Sequence, residues 1–148
     1  MDFENVELNG EQAALFARGL FALSRVDGHD AREGMLIKSF WLDINGEADM
    51  RALTQLEAAP DIDIKQLAAG LPRPEMRELF LRTALLLAYA DGTYSAPEKK
   101  WIEQAAAAML MEPQLKRLDE LTRNLMLSQL SHLHNTDATK QVARKLGF

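Results

Sequence analysis

Apolar residues recur along this chain at spacings of three and four, not in alternation, which marks helices packed through one face. Leu15, Phe16, Gly19, Leu20, Leu23 and Val26 share one such face. The first helix is expected to start at Asn9, which can cap while Gln12 reaches back. Asp27-Gly28 should end it. A second helix should begin at Asp30, with Glu33 at the reciprocal capping position. It carries Leu36, Ile37, Phe40 and Trp41 and stops near Asn45-Gly46. A third, over residues 47–58, ends before Pro60. A short fourth, over 64–69, has Asp63 and Gln66 as a capping pair and Gly70 as its stop. Pro72 and Pro74 punctuate the chain, and Pro74 suits a first helical turn.

The fifth helix should run to Ala90. Residues 79–90, LFLRTALLLAYA, are apolar all round, the pattern of a buried helix. The stretch is too short to span a bilayer and contains Arg82. Asp91-Gly92 ends it. Ser95 then caps a sixth helix, with Pro97 in the first turn and Glu98 reaching back. That helix contains WIEQAAAAML, whose alanines let a neighbour approach closely. Pro113 opens a seventh, with Leu115, Leu118, Leu121, Leu125 and Leu133 at its apolar positions, and a last helix follows Thr136. The expected fold class is all-α, a single-domain bundle of seven to eight helices over residues 1–148.

Composition narrows the function classes. At 148 residues with 47% apolar content, the chain can bury about 68–70% of its unfolded surface without a disulfide or metal staple. The absence of cysteine removes thiol catalysis and thiolate metal sites, and fits a cytoplasmic location. A net charge of −5 argues against nucleic-acid binding, which needs a basic patch for the phosphates. The opening MDFENVELNG is acidic and does not resemble a secretory signal. No transmembrane segment is expected.

The pattern also repeats. Residues 21–37 read FALSRVDGHDAREGMLI and residues 85–102 read LLLAYADGTYSAPEKKWI. Each has an apolar helix end, Asp-Gly, a cap residue, a Glu three after the cap and an Ile four after that Glu. The second copy has one extra residue in its turn. A duplication explains this. Two equivalent helical hairpins would pack about a pseudo-two-fold axis and give the two Asp-Gly turns related positions.

Each turn has two chemical meanings. Gly tolerates positive φ, and Asp can bond the turn backbone, so helix termination accounts for both pairs. A cation site also accounts for them. Asp27, Asp30 and Glu33 fall within seven residues, Asp91 and Glu98 within eight. A hard cation such as Ca²⁺, Mg²⁺ or Mn²⁺ takes several oxygen ligands. Glu33 and Glu98 also sit where a capping box places them. Two carboxylates about 5 Å apart repel by about 3 kcal/mol at an effective dielectric near 20. That exceeds the roughly 0.5–2 kcal/mol of a cap, so converging turns would favour a bound cation. An EF-hand is excluded. Leu87 and Tyr89 would fill its first and third ligand positions in one frame, Trp41 and Ala52 its first and last in the other.

The remaining candidates are weaker. His132 and His134 lack the four-residue spacing of a helical zinc pair. His29 suits a solvated turn. Ser24, Ser39 and Ser95 have no nucleophile motif around them. The methionines, Trp41 and Trp101 suit core faces.

The stretch YADGTYSAPEKKWIEQAAAAMLM resembles the signature of the TerB-like tellurite-resistance superfamily: an apolar helix, Ala-Asp-Gly, then a Glu opening an Ala-rich helix. Upstream, SRVDGHDAREGMLIKSFW is similar to that superfamily's first, matching half. The similarity in plan covers residues 11–133. It implies an all-helical, pseudo-symmetric domain with an acidic surface for a divalent cation, and a place in stress-response or membrane-associated assemblies. By position Asp27, Glu33, Asp91 and Glu98 would be the matching acidic residues, with Asp30 beside them and Ser95 in its place in the second copy.

The expected function is therefore a non-enzymatic cytoplasmic module that binds a divalent cation through its acidic turns and docks a partner protein. A metal-free interaction scaffold is the alternative. A metal-dependent hydrolase ranks third, since no nucleophile or general-base constellation is visible.

Overall fold

A computed structural model of the chain describes residues 8–26, 31–45, 50–89 and 94–130, with the backbone alone at 31–33, 42–45, 50 and 126–130. Among the described residues the chain is all-helical, with seven helices and no strand. They are α1 (Gly10–Ser24), α2 (Ala31–Asn45), α3 (Met50–Ala58), α4 (Ile64–Gly70), α5 (Pro74–Tyr89), α6 (Ala96–Ala108) and α7 (Glu112–Leu130). The expected helix after Thr136 lies outside the described residues.

The starts follow the local chemistry. Asn9 Oδ1 accepts from the Gln12 amide at 2.8 Å, and Gln12 Oε1 accepts from the Asn9 amide at 3.1 Å. This closes the expected capping box. Asp63 caps α4 differently, through the Lys65 amide at 3.4 Å, without the reciprocal bond from Gln66. The first helix also ends earlier than expected. Arg25 is its C-cap, so Val26 lies past the helix and is exposed.

One apolar core draws residues from all seven helices. α5 lies at its centre: every residue from 79 to 88 is buried, Arg82 and Thr83 included. The Thr83 hydroxyl is satisfied within its own helix, donating to the Leu79 carbonyl at 2.8 Å. α1 packs against α2, α3, α4, α5 and α6, while α5 packs against α1, α2, α6 and α7. The Phe16 ring stacks on Phe40 of α2 at 4.5 Å and meets Phe80 of α5 edge-on at 5.0 Å. Gly19 permits this approach. A Cβ there would stand 2.8 Å from Phe80 Cε1 and 2.9 Å from Leu67 Cδ2. Ala105 and Ala106 of α6 are fully buried, in line with their expected role as a close-packing face. Two expected core positions among the described residues are not core. Met35 is 57% exposed and Leu121 45% exposed, and Leu133 lies outside the described residues.

The junction of α6 and α7 needs no glycine in sequence but adopts a glycine's conformation. The Met111 amide donates to the Ala106 carbonyl at 2.8 Å and the Leu110 amide to that of Ala107 at 3.2 Å. This is the Schellman pairing, which places its C′ residue in the left-handed region. That residue is Leu110, at φ 59°, and it is 80% exposed. A side chain there costs about 1–2 kcal/mol and loses little packing when removed. Leu110→Gly should therefore raise stability, by up to about 1 kcal/mol after glycine's larger unfolded-state entropy is counted. Urea unfolding measures it, and a loss of stability would contradict the assignment of strain.

Candidate functional site

The second acidic turn is the better framed of the two. Glu98 stands in the first turn of α6 and is fully buried. Its Oε1 accepts from the Ser95 amide at 3.0 Å, while Ser95 Oγ accepts from the Glu98 amide at 3.3 Å. The expected capping box is formed, so one carboxylate oxygen is committed to the backbone. A buried carboxylate is costly unless such bonds hold it.

Tyr89 ends α5 and Tyr94 precedes the Ser95 cap, so the two tyrosines flank residues 90–93. Their rings meet edge to face with centroids 4.9 Å apart. The Tyr89 hydroxyl donates to Asp119 Oδ1 of α7 at 2.7 Å. Arg123, one turn further along α7, donates to Asp119 Oδ2 at 3.0 Å and from Nε to the Tyr89 oxygen at 3.4 Å. Burial pushes the Tyr89 hydroxyl up from the usual tyrosine range, against the bond from Arg123, which lowers it. Tyr94 is pushed up much further. Burial is the main cause, followed by the negative charges of Asp119, Tyr89, Glu103 and Glu98. The Tyr89 phenol is thus held as a hydrogen-bond donor to Asp119.

The first turn is flanked by a different group. Arg25 stands two residues before Asp27, as Tyr89 does before Asp91. Its guanidinium is paired with Asp61 at 2.7 Å, donates to the Glu57 carbonyl and lies over the Phe21 ring, 5.6 Å from its centroid.

Of the expected ligands, only Glu98 has a described side chain. Glu33 is placed in the first turn of α2 by its backbone. Asp27, Asp30 and Asp91 lie outside the described residues, as do His29, His132 and His134. Among the described residues no three His, Cys, Asp or Glu side chains group as metal ligands. The serines act structurally: Ser24 is buried and donates to the Phe21 carbonyl at 2.8 Å, and Ser95 is the cap. No helix among the described residues is long and apolar enough to cross a membrane.

Sequence reasoning missed Tyr89, Tyr94, Asp119 and Arg123. The tyrosine pair, five apart across an Asp-Gly turn, was a usable signal. Asp119 and Arg123 offered only the four-residue spacing of an ordinary helix-surface pair. No known family model, curated protein or solved structure matches this chain.

Proposed function

We propose that this chain is a non-enzymatic helical module of TerB-like plan that binds a divalent cation through its acidic turns and docks a partner protein. Its setting, by the same resemblance, is a stress-response or membrane-associated assembly. What supports the cation reading is the acidic spacing repeated in the sequence, Asp27 to Glu33 about the first Asp-Gly turn and Asp91 to Glu98 about the second. Asp91 belongs to the turn that Tyr94 flanks. Carboxylates at that spacing supply the oxygen ligands that a hard divalent cation takes.

The packing supports the repeat on which the reading rests. Phe16 and Phe80 are 64 residues apart, the same offset as Asp27 and Asp91. Their rings touch at 5.0 Å, as equivalent residues do beside a two-fold axis. Exchanging α1 with α5, α2 with α6 and α3 with α7 carries α1–α2 onto α5–α6, α1–α3 onto α5–α7, and α1–α6 onto α2–α5. All six pairs are in contact.

The Asp27→Ala, Asp91→Ala double variant should lose binding of Ca²⁺, Mg²⁺ or Mn²⁺ in calorimetric titration and keep its far-ultraviolet helical signal. Unchanged affinity would sink the ligand assignment. The metal-free scaffold is favoured by one specific observation: the Ser95–Glu98 capping box is complete without a cation. It predicts a flat titration for the unaltered chain.

A further inference from the structure

An apolar groove lies between α2 and α5, lined by Leu36, Phe40, Thr83, Leu86 and Leu87. Its counterpart in the other half is filled. Exchanging α2 with α6 and α5 with α1 carries the α2–α5 pair onto α6–α1, and α4 packs on both α1 and α6. Thr83 stands 64 residues after Gly19, which makes the two equivalent. Leu67 of α4 is fully buried. It lies so close over Gly19 that a Cβ there would stand 2.9 Å from Leu67 Cδ2. Among the described residues α4 has no counterpart of its own.

The sequence holds one. Residues 64–71 read IKQLAAGL and residues 139–146 read TKQVARKL, identical at Lys, Gln, Ala and Leu. The offset is 75 rather than 64. α7 is 19 residues long where α3 is 9, which absorbs most of the difference. Val142, Ala143 and Leu146 take the places of Leu67, Ala68 and Leu71, all of them buried. The volumes compensate as well: Leu67 lies over Gly19, whereas the smaller Val142 would meet the larger Thr83. Close-packed interiors require such trades. The linking residues 131–137 can span about 25 Å, and α7, from which they lead, already packs on α5.

We propose that residues 139–146 occupy this groove, docking on α2 and α5 of their own chain as α4 docks on α6 and α1. The proposal rests on the internal repeat and is independent of the cation reading. A partner that takes this face must first displace the segment.

The full chain has no cysteine, so an introduced pair reports a single contact. Thr83→Cys with Val142→Cys should oxidise to a disulfide within one chain, seen as faster migration at monomer mass on a non-reducing gel. Thr83→Cys with Gln141→Cys is the control, because Gln66, the counterpart of Gln141, is exposed. Disulfides need closely facing Cβ atoms, so the control should cross-link about 10-fold less. Equal cross-linking in the two pairs would overturn the proposal, as would none in either. A disulfide between two chains would overturn it too, and would give the groove to a second copy. If the cysteine variants do not fold, Val142→Asp carries the test. It should lower the urea midpoint by about 0.5–1 M, while Gln141→Asp leaves the midpoint in place. An unchanged midpoint in Val142→Asp would overturn the proposal and leave the cation reading standing.

Discussion

Phe80→Ala should cost about 3–5 kcal/mol, the range for truncating a buried phenylalanine. Phe80 is fully buried. Its ring meets Phe16 of α1 at 5.0 Å and Trp101 of α6 at 6.1 Å. Through Phe16 it is coupled to Phe40 of α2, stacked at 4.5 Å. Aromatic pairs of this kind are worth about 0.5–1.5 kcal/mol beyond the area they bury. Neighbouring helices cannot collapse into the vacated space easily, because α5 is enclosed on all sides. Gly19, directly against the ring, has no side chain to move in. At this chain length the loss corresponds to a fall of roughly 6–20 °C in melting temperature. Phe80→Leu keeps most of the volume and should recover part of it. A loss below about 1 kcal/mol in Phe80→Ala would mean that the ring is not the centre of the core.

Arg77→Met should cost about 2–4 kcal/mol, the second largest effect expected. The Arg77 guanidinium joins the ends of two helices. Its Nε donates to the Leu71 carbonyl at 2.6 Å and one terminal nitrogen to that of Ala68 at 3.0 Å, both at the end of α4. Its other terminal nitrogen donates to the Met109 carbonyl at 2.9 Å, at the end of α6. Helix ends leave carbonyls without intrahelical partners, and the helix dipole favours a cation there. Bonds to a charged group are worth about 1.5–3 kcal/mol each. The total is set lower than three such bonds because Arg77 is half-buried, and water can reach some of the freed carbonyls. Methionine retains the apolar stem, so the measured change in urea unfolding reports the bonds rather than the packing. Arg77→Lys keeps the charge, worth about 0.3–1 kcal/mol at a helix end. A single ammonium cannot span three carbonyls on two helices, so lysine should remain well below arginine. Full recovery by lysine would contradict this geometry.

Where a feature was decided within a few residues, it was legible in the sequence. The boxes Asn9–Gln12 and Ser95–Glu98 are local, and both form. The all-round apolar pattern of α5 correctly marked it as central. Features decided by neighbours from elsewhere in the chain were not legible. Met35 and Leu121 have core-type side chains but face outward, because helix periodicity gives a stripe and not its edges. Arg77 and Asp119 look like ordinary helix-surface charges until α4, α6 and α5 are brought against them. Leu110 carries no glycine signal for its left-handed turn, which the packing of Met109 and Met111 on either side imposes. Both of those residues are buried. Of the candidate site, Glu98 was legible as a cap. Its burial, and the tyrosine frame of the adjoining turn, required the fold.

The central claim, that the acidic turns bind a divalent cation, is tested most directly by thermal unfolding, followed by circular dichroism. The chain is melted in EDTA and then with Ca²⁺, Mg²⁺ or Mn²⁺. A cation at about 100 times its dissociation constant adds about 2.7 kcal/mol, a rise of roughly 5–11 °C at this size. The expected result is a rise of that order with at least one of these ions, abolished in the Asp27→Ala, Asp91→Ala double variant. An unchanged melting temperature with all three would contradict the claim and leave the turn carboxylates as helix caps of a metal-free scaffold.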